Sequence, residues 1–263
     1  MKANKWIVGV IVLSLITLYG QHYAVAKKGG NGNGTSILHL TMDVTMTGTG
    51  VDPDATGSVQ ADHKKQGGSD HQDLDISLAN LDPNTPYDLM VVVGDNTNLV
   101  TQFTTDANGS AGFNYVKKNN GNGSPKGDPL PNEVDPVSSI LALEVVNAST
   151  QTVLNADFTT PDKLQYLIKR NMTNDGVDND VAASLRIKSN GNSVQFRLRA
   201  SGLDASATYF LAINGIVAET ETTDANGGLN LTSLPSGAPD VLDITSLAVW
   251  NATSNSVLST TLP

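Results

Sequence analysis

The chain has 263 residues, with 26 Asp and Glu against 16 Lys and Arg, a formal net charge of −10 and no cysteine. The lack of cysteine excludes disulfides, thiolate metal sites, a cysteine nucleophile and a lipid-bearing cysteine. The acidic balance argues against nucleic acid and anionic membranes as partners, and suits cations or basic surfaces.

Residues 1–26, MKANKWIVGVIVLSLITLYGQHYAVA, have the three-part form of a secretory signal peptide. Lys2 and Lys5 precede an apolar run from Trp6 to Tyr19, and Ala24-Val25-Ala26 gives an A-x-A cleavage site. The apolar run is shorter than the ~20 residues that span a bilayer, so cleavage and export are expected, with no membrane insertion afterwards. The expected location is extracellular, cell-surface or periplasmic. Residues 27–35, KKGGNGNGT, contain almost nothing that could repay the entropy of ordering and read as a flexible leader.

From there the dominant signal is alternation. In LHLTMDVTM, Leu38, Leu40, Met42, Val44 and Met46 take one face. In DLDISLANL, Leu74, Ile76 and Leu78 oppose Asp73, Asp75 and Ser77. In SVQFRLRA, Val194, Phe196 and Leu198 oppose Gln195, Arg197 and Arg199. A period of two predicts half-buried strands. Further strands are expected at about 57–63, 87–93, 98–104, 111–116, 138–147 and 152–159. LQYLIKRNM (Leu164 to Met172) could be helical by propensity, but its partner in the first half predicts a strand.

The hexapeptide TTDANG occurs at Thr104–Gly109 and again at Thr222–Gly227, and its flanks match in order. NLDPNTPYDL aligns with GLDASATYFL, GVDPDATGSV with GVDNDVAASL, and VLNADF with VLSTTL. This predicts two copies of one module, residues 36–160 and 161–263. Each would be an antiparallel β-sandwich of immunoglobulin-like layout, giving an all-β, tandemly duplicated protein. The segment 116–129 is an insertion in the first copy. Within TTDANG, Asp106 and Asp224 read as turn formers, the glycine as a positive-φ position, and both threonines as the end of the preceding strand.

No G-x-S-x-G, H-E-x-x-H, P-loop or dinucleotide fingerprint is present, so no enzymatic activity is expected. Cation candidates are Asp52 and Asp54 in GVDPD with Asp178 and Asp180 in GVDND; no cofactor is required, and calcium is the cation these turns would suit. His63 and His71, in the hairpin ADHKKQGGSDHQ, form a weaker metal candidate with Asp62 and Asp70. Trp250, opposite in facing to Leu247 and Val249, is a ligand or interface candidate. Asp73 and Asp75 in one copy against Arg197 and Arg199 in the other suggest complementary docking faces.

The wording A-x-G-S-V (Ala55 to Val59), L-x-x-L-x-P-x-T-x-Y-x-L (Leu78 to Leu89) and T-D-A-N-G (Thr105 to Gly109) resembles secreted bacterial β-modules of the chordin type. Their A-H-I-H segment is missing from both copies, so the resemblance covers strand and turn pattern and assigns no family. The expected function is that of a secreted, non-catalytic structural or interaction protein, with a protein or extracellular polymer as partner, self-association included. A glycan- or metal-binding module is the alternative.

Overall fold

The computed structural model describes residues 36–118, 127–177, 180–191, 193–239 and 243–262. The signal peptide and leader read in residues 1–35 lie outside them. The described chain is all β, and no helix in it is long and apolar enough to cross a membrane. It divides into two compact units, a first made of Leu40–Lys64 with Ser69–Leu164 and a second that holds the residues from Gln165 onward.

The first nine strands are β1 (Ile37–Gly48), β2 (Thr56–Gln66), β3 (Ser69–Ala79), β4 (Pro86–Val93), β5 (Asn96–Thr104), β6 (Ala111–Lys118), β7 (Asp128–Pro129), β8 (Ile140–Asn147) and β9 (Thr152–Asp157). Hydrogen bonding orders them β5-β4-β8-β9-β1-β2-β3-β6, all antiparallel, with β7 added in parallel beyond β6. The link between β9 and β1 is short, carried by Thr47 opposite Asn155 and Gly48 opposite Leu154. So brief a junction lets the sheet curl, bringing the apolar faces of its two halves together.

Alternation supplies that core. Met42, Val44 and Met46 of β1, Leu74, Ile76 and Leu78 of β3, Leu89 and Val91 of β4, and Leu143 and Val145 of β8 are buried in one cluster. The ends of the curled order meet through aromatic rings: Phe103 of β5 lies edge-on to Phe113 of β6 at 5.2 Å, flanked by Tyr87 and Tyr115 at 5.8 and 6.0 Å.

The second unit contains β10 (Lys163–Asn174), β11 (Ala182–Ser189), β12 (Val194–Ser201), β13 (Thr208–Ile213), β14 (Ile216–Thr222), β15 (Leu229–Leu231), β16 (Ser246–Trp250) and β17 (Ser256–Thr261). Their order is β14-β13-β16-β17-β10-β11-β12-β15, strand for strand the arrangement of the first unit. LQYLIKRNM is therefore strand. The positions of Phe103 and Phe113 are taken by Glu221, opposite Tyr209, and Leu231, opposite Leu198. This unit buries Tyr166, Ile168, Leu185, Ile187, Phe196, Leu198, Leu211, Leu247 and Val249.

Both TTDANG turns fold alike. The Asp106 carboxylate accepts the backbone N–H groups of Asn108 and Ser110, each at 2.8 Å, and Asp224 does the same for Asn226 and Gly228. These bonds hold both carboxyls below the ordinary carboxylate range. Gly109 and Gly227 have φ of 74° and 73°, and a Cβ on either would collide with the carbonyl oxygen of Leu81 or Leu203. One expectation needs correction: only the first threonine of each copy ends a strand. Thr105 and Thr223 are buried, donate to the carbonyls of Asp82 and Asp204, and accept from the N–H of Thr85 and Ala207. Tyr87 and Tyr209 complete each corner, their hydroxyl oxygens accepting from the N–H of Asp82 at 3.2 Å and Asp204 at 3.1 Å.

Candidate functional site

In β10, β11 and β12 the residues alternating with the core point outward, and they carry a concentration of cations. Lys169 is directly opposite Arg186, which is directly opposite Arg197. Lys188 and Arg199 stand one outward step to either side of this row. Arg186, Lys188, Arg197 and Arg199 are exposed and Lys169 is half-buried. Lys163, the first residue of β10, belongs to the first unit and pairs with Asp43; the other outward positions are Gln165, Leu167, Asn171, Thr173, Ala182, Ser184, Gln195 and Ser201, so no carboxylate stands among them. Among the described residues none of the five cations forms an ion pair; Arg199 donates from Nε to Asn230 at 3.3 Å.

The corresponding face of the first unit is acidic. Its outward positions include Asp43 on β1, Asp62 on β2, and Asp73 and Asp75 on β3. Gln60 donates to Asp43 at 2.8 Å and Thr41 to Asp62 at 2.8 Å, which fixes β1 and β2 as neighbours on this face. Asn114 donates to Asp75, and His71 is 2.7 Å from Asp73. Lys163 approaches Asp43 at 3.5 Å, and Lys64 stands at the hairpin end. Counting from the paired core residues, Met46 with Met172, Val59 with Leu185 and Leu74 with Phe196, three positions are inverted in charge. Asp43 answers to Lys169, Asp62 to Lys188 and Asp75 to Arg197.

Of the residues expected to dock, Arg197, Arg199, Asp73 and Asp75 thus lie on these faces. Lys169, Arg186, Lys188 and Asp43 join them without having been singled out by sequence, and Asp62, read there as part of a metal candidate, joins them too. Their signal is present in the same alternation, one and two strands earlier in each unit.

His63 and His71 are not brought together as a metal pair. His63 points inward and is 2% exposed, whereas His71 is outward beside Asp73. His63 joins a buried polar cluster at one end of the first unit's core. Its Nδ1 is 2.9 Å from the Ser138 hydroxyl and its Nε2 is 3.0 Å from Asp70. Gln72, fully buried, donates to Asp135 at 2.9 Å and accepts from the N–H of Val137 at 2.8 Å. Lys117 closes the cluster at 2.6 Å from Asp135 and 3.4 Å from Asp70. Burial opposes ionisation of Asp70, but the His63 imidazole and the Lys117 ammonium, by charge and hydrogen bond, together hold its carboxyl below the usual range. Hydrogen bonding to Asp135, against some burial and with the charges of Asp135 and Asp70, raises Lys117. The hairpin tip, residues 64–69, is exposed, and beneath it His63, Asp70 and Gln72 cover one end of the core.

The acidic turns are less gathered. Burial, then a hydrogen bond and the charge of Asp54, push the Asp52 carboxyl up. Asp180 is exposed, and Asp178 lies outside the described residues. Among the described residues no group of three or more His, Cys, Asp or Glu side chains is placed to hold a metal ion. Trp250 is half-buried on the outer face of β16, directly opposite Phe210 of β13.

No family model, curated protein or solved structure matches the chain. The geometry of the two faces is therefore what bears on function.

Proposed function

We propose that this chain is an exported, non-catalytic interaction protein made of two copies of one immunoglobulin-like sandwich module, and that the second module presents a docking face for an acidic partner. The observation that carries this reading is the row Lys169–Arg186–Arg197, three cations across three adjacent strands in a protein of net charge −10. Like charges directly opposite each other destabilise a sheet. A face that keeps them without carboxylates between them has a use for the field they create.

The duplication is supported by the shared strand order and by the matched corners at Tyr87 and Tyr209, Thr105 and Thr223, and Gly109 and Gly227. Export is supported by the form of residues 1–26.

Retention of dilute protein on immobilised polyglutamate tests the docking face. An acidic protein held on a polyanion at low salt, and released when Arg186→Glu and Arg197→Glu are combined, supports it. Wild-type protein that flows through contradicts it.

A further inference from the structure

We propose that the acidic partner is the first module of a second copy of this chain, so that copies join by laying the acidic face of one on the basic face of another. This rests on the docking-face reading above and names its partner.

The inference comes from the geometry of the inversions. Lys169, Lys188 and Arg197 form a triangle over three adjacent strands, with Lys169 and Arg197 in one row and Lys188 one outward step away on the middle strand. Asp43, Asp62 and Asp75 hold the equivalent positions on β1, β2 and β3. The side-chain bonds from Gln60 to Asp43 and from Thr41 to Asp62 reproduce the same rows. Laying one face on the other with a half-turn about the middle strand leaves each row at its own height and exchanges the outer strands. That places Asp43 over Arg197, Asp75 over Lys169 and Asp62 over Lys188. An arbitrary polyanion would need no such match of positions; a second copy carries it by descent from the same module.

The two faces belong to different modules, so the contact is heterologous: each copy that binds through one face still offers the other. Magnitudes make the contact a weak one. Four strands at about 4.8 Å spacing and eight residues at about 3.3 Å give a face on the order of 500 Å². A standard stable interface buries about 800 Å² on each partner. Charge therefore dominates the attraction. With a screening length of about 10 Å at 0.1 M salt and about 3 Å at 1 M, assembly should be strongly salt-dependent.

The test is sedimentation velocity over a concentration series, at low salt and at about 1 M salt. Three proteins are compared: wild type, a basic-face variant (Lys169→Gln, Arg186→Gln, Arg197→Gln) and an acidic-face variant (Asp43→Asn, Asp62→Asn, Asp75→Asn), each neutralised rather than reversed so that the altered faces do not complement one another. Wild type is expected to assemble at low salt and dissociate at high salt, and each variant alone to associate at least about tenfold more weakly. Mixing the variants should restore one complementary contact and give a 1:1 complex that grows no further. Melting curves confirm that both variants fold. Wild type that stays monomeric at about 1 mM in low salt, or variants that do not combine when mixed, overturns the proposal. In that event retention on polyglutamate would still uphold the docking face, whereas loss of both would reject the functional reading as well.

Discussion

Arg186 and Arg197 stand directly opposite each other in the ladder between β11 and β12. A cross-strand pair of like charges opposes the fold, by an amount comparable to the roughly 0.2–1 kcal/mol that favourable pairs contribute. Replacing Arg186 with threonine, a good strand residue, should therefore raise the melting temperature at low salt, by the equivalent of up to about 1 kcal/mol. The same substitution should weaken binding to an acidic surface. A variant that melted lower would mean that the row contributes to stability through contacts other than charge.

The buried cluster around Gln72 predicts a different behaviour. Gln72 satisfies Asp135 and the N–H of Val137 with no access to water. Its replacement by alanine leaves both groups short of a partner, at about 1–3 kcal/mol in denaturant unfolding.

The same cluster fixes a pH dependence. Asp70 has a folded-state pKa below the ordinary 3.8. Its stabilisation is thus complete above that value and is lost as pH falls through the folded pKa. Lys117 is raised above 10.5, so its contribution is complete below that pH and fades as pH rises through the folded value. Asp70→Asn should cost about 1–3 kcal/mol at neutral pH. The gap to wild type should close in strongly acid solution. A gap that persisted unchanged there would show that the ionised carboxylate is not what stabilises the cluster.

At the repeated turns, Gly109→Ala and Gly227→Ala should be among the most damaging small substitutions in the chain. Each places a Cβ at positive φ and against a backbone carbonyl. The cost should exceed the roughly 1 kcal/mol of an ordinary glycine substitution, measured by denaturant unfolding. Gly215→Ala, at φ of 78° with open space around it, serves as the comparison and should cost less.

The strands were legible because alternation is a local signal that both copies repeat, and the match of LQYLIKRNM to LHLTMDVTM decides for strand where propensity alone would allow helix. Strand order was not legible, since it depends on which apolar faces meet across the curled sheet, as Phe103 and Phe113 do. The candidate faces were half visible. Arg197 and Arg199 could be read from one strand, but the row Lys169–Arg186–Arg197 needs the register between three strands. The His63 cluster was hidden for a similar reason: Gln72 is polar at a core position, and only the approach of Ser138, Asp135 and Lys117 makes its burial tolerable.

The central claim, that the acidic face of one copy meets the basic face of another, is tested most directly by disulfide trapping in a chain with no cysteine of its own. Asp43→Cys and Arg197→Cys proteins, mixed at low salt under mild oxidation, should give mainly the mixed crosslinked dimer, and high salt should suppress it. Pairing Asp43→Cys with Asp88→Cys, on the outer face of β4, sets the background. If the mixed dimer of Asp43→Cys and Arg197→Cys forms no faster than that background, the two faces do not meet and the account is wrong.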